Sequence, residues 1–407
     1  MARTVAGRRP RGFTDTPISP GLAPVFHFAD RRRDDCATMT SSLTRVAQLG
    51  QSVWLDGLSR DLLASGGLRR LITQHGITGV TTNPAILDRA LGAGGSYDSQ
   101  IADLMAFDVS PGQIATELAR TDVTEAALQL LPIWEASCGA DGYVSWEVDP
   151  ALAWNVRATV AAVQQLHELV ELPNLLVKIP ATEPGLQALE DSIASGYSVN
   201  VTLIFSLERY ADVVESYLRG LRRAADAGLD LTTIHSVASF FVSRLDSAAD
   251  ALLESEGSPF THALRGKLGI ASAKLAYRHF QACFSGARWQ ALRAQGARPQ
   301  RPLWASTSTK NPVYRNVRNV EELIGSQTVT TMPQATLDGF EEHGRVANTL
   351  VRDVERAALS LGDLTIAGLD LERLTGGLER DGIDQFARSM DALAARIGSW
   401  ERPAKAA

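Results

Sequence analysis

Eight short runs rich in β-branched and apolar residues, each followed by a helical stretch, constrain the fold of this 407-residue chain more than any other feature. They are SVWLDGL (52–58), ITGVTTNP (77–84), GYVSWEVD (142–149), LPNLLVKIP (172–180), YSVNVTLIFS (197–206), TTIHSVASFF (232–241), RPLWASTST (301–309) and SQTVTTMP (326–333). Between them the apolar residues recur at helical spacing. Leu62, Leu63, Leu68, Leu71 and Ile72 mark a helix over 59–75 that stops at His75-Gly76. Helical sequence is expected over 84–135 with a break at 92–96, then over 151–170, 207–226 and on to about 293. It closes the chain over 334–400, with a break near 362–370. Strands that alternate with helices pair in parallel, and eight such units predict a (β/α)8 barrel with additional C-terminal helices. The competing architecture is a doubly wound open sheet. Its nucleotide signatures are missing: LGAGGSYD (91–98) does not fit G-x-G-x-x-G, and there is no Walker lysine loop.

Composition narrows the partners. The net charge is −6 and 45% of residues are hydrophobic, which suits a soluble globular protein. So mild an acidity offers no electrostatic basis for binding nucleic acid or a membrane surface. No apolar run approaches the ~20 residues of a membrane span. Cys36, Cys138 and Cys283 form no C-x-x-C pair, so the cytoplasm is the expected compartment. The seven histidines show no zinc-site spacing, and no metal is expected. Residues 1–38 are rich in Arg, Pro, Gly and Asp and lack the apolar core of a signal peptide. A disordered extension is expected there, with one barrel domain over 39–407.

One lysine stands out. The chain has only five (Lys178, Lys267, Lys274, Lys310 and Lys405) among its 40 basic residues, yet Lys178 sits inside the apolar run NLLVKIPAT. Burying a charge is costly, and a buried lysine tends to shed its proton, leaving a nucleophilic amine that forms a Schiff base with a carbonyl. A buried ion pair with Glu147 is the structural alternative. Barrel enzymes act at the C-terminal ends of their strands, where this chain collects polar residues. They are Asp56, then Thr81, Thr82 and Asn83, then Glu147, Lys178, Asn200 with Thr202, Ser239 and Ser306. Strand alternation places Asn200 with Thr202, and Ser145 with Glu147, on common faces. Asn83 before Pro84 also reads as a helix N-cap with proline at N1.

The strings SVWLDGLSR, GVTTNPAI, GYVSWEVDP, LLVKIPAT, VNVTLIFS, SVASFFVSRLD, LWASTSTKNP and TVTTMPQATLDGF resemble transaldolase, in its longer, actinobacterial-like bacterial subfamily. The resemblance runs in order from about residue 40 to the C-terminus, one motif per strand. It implies a (β/α)8 barrel, no metal, no organic cofactor and sugar-phosphate substrates. It further implies transfer of a dihydroxyacetone unit from fructose 6-phosphate or sedoheptulose 7-phosphate to an aldose phosphate, in the non-oxidative pentose phosphate pathway. The family's Schiff-base lysine falls on Lys178. Its strand-one aspartate, which handles the C4 hydroxyl proton, falls on Asp56. Its general acid/base glutamate falls on Glu147, working through a water shared with Thr202. Asn83 and Ser239 match residues that hold the hydroxyls of the dihydroxyacetone unit. Asn200 lies near the Schiff base, and Phe241 and the phosphate-binding Arg244 come from SFFVSR. Thr81 and Ser306 complete the expected substrate contacts. The chain departs from the family after strand seven, where Ser308 stands in place of an arginine and Lys310 is the nearest cation. An aldolase that releases dihydroxyacetone and a non-catalytic sugar-phosphate-binding barrel are the competing functions. The helical region after 334 is a candidate cover for the site, and the oligomeric state is not legible.

Overall fold

A computed structural model describes residues 41–400. The extension expected over 1–38 lies outside the described residues. Eight parallel strands close into a barrel: β1 (Gln51–Asp56), β2 (Gly79–Thr81), β3 (Tyr143–Glu147), β4 (Leu175–Pro180), β5 (Val199–Ile204), β6 (Ser236–Phe241), β7 (Arg301–Ala305) and β8 (Thr328–Met332). β8 pairs with β1, so no strand edge is left open. Nearly every strand residue is buried, because the barrel lumen covers one face and the surrounding helices cover the other.

The strands are shorter than the sequence runs because turn chemistry ends them. Asn83 caps the helix Pro84–Ala93, its side chain accepting from the Ile86 amide at 3.1 Å, so β2 stops at Thr81. Strand seven was expected to reach 309. It stops at Ala305, because Ser306 takes a left-handed conformation (φ 55°) that no strand continues. Ser306 and Lys310 therefore lie in the loop after β7. After β4, Thr182 caps the helix Glu183–Ala194 and also donates to the Ala153 carbonyl at 2.6 Å. Gly185 is needed in that turn, since a Cβ there would lie 2.0 Å from the Pro180 carbonyl oxygen.

Several helices break where periodicity alone ran on. The expected helix 59–75 divides into Arg60–Ala64 and Gly67–His75 around left-handed Gly66. The stretch 84–135 carries a second interruption at 105–110, before the Ser110 capping box opens Pro111–Ala136. At the C-terminus the helices are Gln334–His343, Val354–Ile366 and Leu371–Gly398, so a break at 344–353 precedes the expected one, which falls at 367–370.

The last helix crosses the C-terminal mouth of the barrel. Leu393 and Ile397 pack with Leu87, Ile101, Ile114 and Leu118, from helices that follow β2. Gly382 meets Leu203 of β5, and Glu379 pairs with Arg209 at 3.3 Å. Eighteen residues separate Glu379 from Ile397, about 27 Å of helix, enough to span the opening.

Candidate active site

Most of the residues singled out in the sequence converge at this mouth. Glu147 and Lys178 are register partners on β3 and β4, and Lys178 and Asn200 are partners on β4 and β5, so the three side chains point into the lumen side by side. Lys178 Nζ lies 3.8 Å from Glu147 Oε2, with the residues 5% and 6% exposed. That distance is an ion-pair contact beyond hydrogen-bond range. Both Glu147 carboxyl oxygens and the buried Thr202 Oγ1 have no hydrogen-bond partner among the described residues. Unsatisfied buried acceptors and hydroxyls of this kind mark where a substrate group or water is bound.

Burial dominates the electrostatics of Glu147. Desolvation raises its carboxyl to about 7, the positive charge of Lys178 opposes the rise, Asp56 adds to it, and Arg244 opposes it. A carboxyl held near neutrality gives or takes a proton at little cost at physiological pH. Asp56 ends β1 and accepts a hydrogen bond from Thr81 Oγ1 at 2.8 Å, which orients its carboxylate at the rim.

A polar line runs across the lumen. Ser239 Oγ donates to Asn200 Oδ1 at 2.7 Å, and Asn200 Nδ2 donates to Ser145 Oγ at 3.0 Å. The chain fixes which way the Asn200 amide faces, with its nitrogen toward β3 and its oxygen toward β6. Asn83 sits half-buried beyond β2, its side-chain oxygen committed to the cap.

Arg244, in the first turn of helix Ser243–Glu256, is half-buried and makes no hydrogen bond or ion pair among the described residues. Its guanidinium lies 5.4 Å from the Phe241 ring and 5.9 Å from the Phe386 ring. Burial pulls its pKa down, while Glu147 and then Asp56 pull it up. An arginine held between two rings with free donors suits a phosphate. Ser306 pairs with Ser243 through their hydroxyls at 2.8 Å. Lys310 is exposed and lines a neighbouring 240 Å³ cleft with Asp246, Asp250 and Glu254. Arg244 does not line that cleft.

Phe386 was not singled out in the sequence. It comes from the last helix, is 5% exposed, and places its ring 5.8 Å from Lys178 Nζ. The one aromatic residue of an amphipathic helix was the only available signal. Phe205 was also missed; it packs on Phe241 with ring centres 5.2 Å apart. A 700 Å³ cleft between Phe205, Arg209 and residues 370–380 flanks the mouth without including Lys178 or Glu147. The convergence of side chains, not cavity size, locates the chemistry. Among the described residues no cluster of His, Cys, Asp and Glu suits a metal, and no helix is long and apolar enough to cross a membrane.

Fold and site together define a (β/α)8 barrel that carries an amine and a neutral-range carboxyl inside its C-terminal mouth. A family model described as Transaldolase/Fructose-6-phosphate aldolase matches residues 53–397, and the chain belongs to that family. The protein named Transaldolase 2 of Streptomyces avermitilis is 47% identical over 356 residues, which cover 87% of this chain and 96% of that protein. The Transaldolase of Thermobifida fusca is 46% identical over 360 residues, 88% of this chain and 98% of that one. The Transaldolase of Mycobacterium marinum is 46% identical over 359 residues, 88% and 96% of the two chains.

Proposed function

We propose that this chain is a transaldolase working through a Schiff base on Lys178. The observation that carries the reading is the buried Lys178–Glu147 pair at 3.8 Å, in a chain about 46% identical to proteins named transaldolase. The neutral amine of Lys178 attacks the C2 ketone of fructose 6-phosphate or sedoheptulose 7-phosphate. Glu147, with a water held against Thr202, protonates the departing hydroxyl as the carbinolamine loses water to the imine. Asp56 takes the C4 hydroxyl proton, the C3–C4 bond breaks, and its electron pair moves into the imine. The aldose phosphate leaves, and the three-carbon unit stays on Lys178 as an enamine. Glyceraldehyde 3-phosphate or erythrose 4-phosphate accepts it by the reverse steps. Asn83 and Ser239 hold the hydroxyls of the dihydroxyacetone unit, Asn200 sits beside the imine, and Arg244 takes the phosphate. Thr81 orients Asp56, and Ser306 shapes the phosphate side through Ser243. Lys310 is the weaker phosphate candidate, because it lies in the acidic cleft. The reaction places the protein in the non-oxidative pentose phosphate pathway, and the absence of any cysteine pairing motif fits the cytoplasm.

The family description includes fructose-6-phosphate aldolases, which release dihydroxyacetone instead of transferring it. One experiment separates the readings. Borohydride is added with fructose 6-phosphate, the adduct is located by mass spectrometry, and products are analysed with and without erythrose 4-phosphate. A reduced three-carbon adduct on Lys178 and sedoheptulose 7-phosphate formed only with acceptor is the expected result. Free dihydroxyacetone as the main product makes the protein an aldolase. A label on another lysine overturns the mechanism.

A further inference from the structure

At the opposite, N-terminal end of the barrel lies a second cavity that the reaction does not use. It measures 330 Å³ and is lined by His235, Arg298, Arg301, Trp54, Tyr143 and Gln327, among others. A volume of this size suits a small ligand. His235 precedes β6, and the six residues from Ser236 to Phe241 separate the cavity from the mouth by about 20 Å of strand.

Its polar groups are unusual for the base of a barrel. Neither Arg298 nor Arg301 has a carboxylate within ion-pair distance among the described residues, although both are half-buried. Arg301 donates to Ser52 Oγ at 2.9 Å, and Arg298 donates to the Cys138 carbonyl at 2.5 Å, but Arg298 Nε is buried without a partner among the described residues. The carboxylate of Asp141 is already taken by Ser52 and by Trp54 Nε1 and Gly142 N. His235 is 5% exposed, and its Nε2 has no hydrogen-bond partner among the described residues. Burial, then Arg298 and Arg301, hold its pKa at about 4, so the ring is neutral at physiological pH. A neutral imidazole carries one donor and one acceptor nitrogen, and a hydroxyl can pair with either. Tyr143 offers no free donor, because its hydroxyl is spent on the Gly139 carbonyl at 2.6 Å. The cavity thus presents two guanidinium groups without a carboxylate partner beside an unpartnered ring nitrogen, walled by Trp54 and Tyr143.

We propose that this cavity is a second ligand site, for a small hydroxylated oxyanion whose charged group is held by Arg298 and Arg301 and whose hydroxyl pairs with His235 Nε2. The oxyanion meets the unpaired arginines through charge-assisted hydrogen bonds. Its hydroxyl satisfies a buried ring nitrogen that is otherwise left bare.

Calorimetric titration of the full chain carrying Arg244→Ala keeps the mouth's phosphate group out of the measurement. Glycerol 3-phosphate is expected to bind with a stoichiometry of one. Adding Arg298→Gln and Arg301→Gln is expected to weaken it by roughly tenfold or more, and methyl phosphate, which lacks the hydroxyl, should bind more weakly than glycerol 3-phosphate. Glycerate binding with equal affinity identifies a carboxylate as the charged group, and binding of glycerol 3-phosphate alone identifies a phosphate. In the otherwise native enzyme the same two substitutions should leave kcat unchanged. No binding at millimolar glycerol 3-phosphate, unchanged affinity in the substituted protein, or loss of turnover along with binding overturns the proposal. Methyl phosphate binding as tightly as glycerol 3-phosphate overturns the role of His235. If the doubly substituted cavity does not fold by circular dichroism, the single variants Arg298→Gln and Arg301→Gln carry the same expectations.

Discussion

At Glu147, burial and the neighbouring charges of Lys178, Asp56 and Arg244 together set the proton affinity near neutrality. If the protonated carboxyl assists loss of water from the carbinolamine, kcat/KM falls as pH rises through about 7. Glu147→Gln should remove that limb from the pH profile and lower turnover by roughly 100- to 10,000-fold, the usual range for a general acid. A profile that keeps its limb assigns the titration to another group. Lys178→Arg keeps a cation in place but supplies no neutral amine, so transfer should vanish while the circular dichroism spectrum stays native. Turnover like that of the native enzyme would remove Lys178 from the chemistry. Arg244→Ala should raise KM for fructose 6-phosphate by roughly 10- to 100-fold, the worth of one or two charged hydrogen bonds. Fructose, which has no phosphate, should be little affected; equal losses for both sugars would exclude a phosphate contact. These residues were legible in the sequence because a lysine in an apolar strand and polar residues at strand ends are local anomalies. Arg298 and Arg301 were not, since an arginine near the start of a strand reads as solvated until the structure shows that it is half-buried without a carboxylate partner.

The last helix and β5 act as one element at the mouth. Leu203 takes a left-handed conformation (φ 60°) inside β5, where the pairing with β6 shifts register between Val201 and Ile204. Such a bulge re-aims the side chains around it, here Thr202 and Asn200. Its strain is held by packing: a Cβ on Gly382 would lie 2.9 Å from Leu203 Cδ2, so the helix must pass with glycine at that point. One turn further on, Phe386 covers Lys178 and Arg244. A hydrophobic cover of this kind keeps water from the enamine that Lys178 would carry. Phe386→Ala should cost about 3–5 kcal/mol of stability, as for other buried aromatics cut to alanine. It should also raise the yield of free dihydroxyacetone relative to transfer product. An unchanged product ratio would make the ring a packing residue only. The pairing of this helix with β5 could not be read from the chain, because the helix pattern records which face is apolar but not what that face meets.

Over the whole molecule, two buried groups draw stability in opposite directions with pH. Glu147 is raised from 4.5 to about 7, so its contribution is complete below pH 4.5 and is lost as pH climbs through 7. His235 is depressed from 6.5 to about 4, so its contribution is present above pH 6.5 and is lost as pH falls through 4. Each is worth on the order of 3 kcal/mol. The melting temperature of Glu147→Gln should fall less than that of the native protein between pH 4.5 and 7. His235→Gln should show the shallower loss below pH 6.5. Melting curves whose pH dependence does not change in either variant would assign the titration elsewhere. The two groups sit at opposite ends of the barrel, so their effects should add in the double variant.

The sequence alone determined the order of the eight strands, their parallel pairing through helices, and the strand ends at which Asp56, Glu147, Lys178, Asn200 and Ser239 appear. All of these follow from short-range causes: the period of two in a strand, the 3.6 of a helix, and turn residues that act within a few positions. Only the tertiary structure decided that Glu147 and Lys178 stop 3.8 Å apart, that Asn200 is held between Ser145 and Ser239, and that Phe386 returns from 208 residues beyond Lys178 to cover it. It alone set Arg244 at one end of the barrel, away from Arg298 and Arg301 at the other. Such pairings depend on barrel closure and on which distant side chains exclude water together, and no local pattern in the chain carries that information.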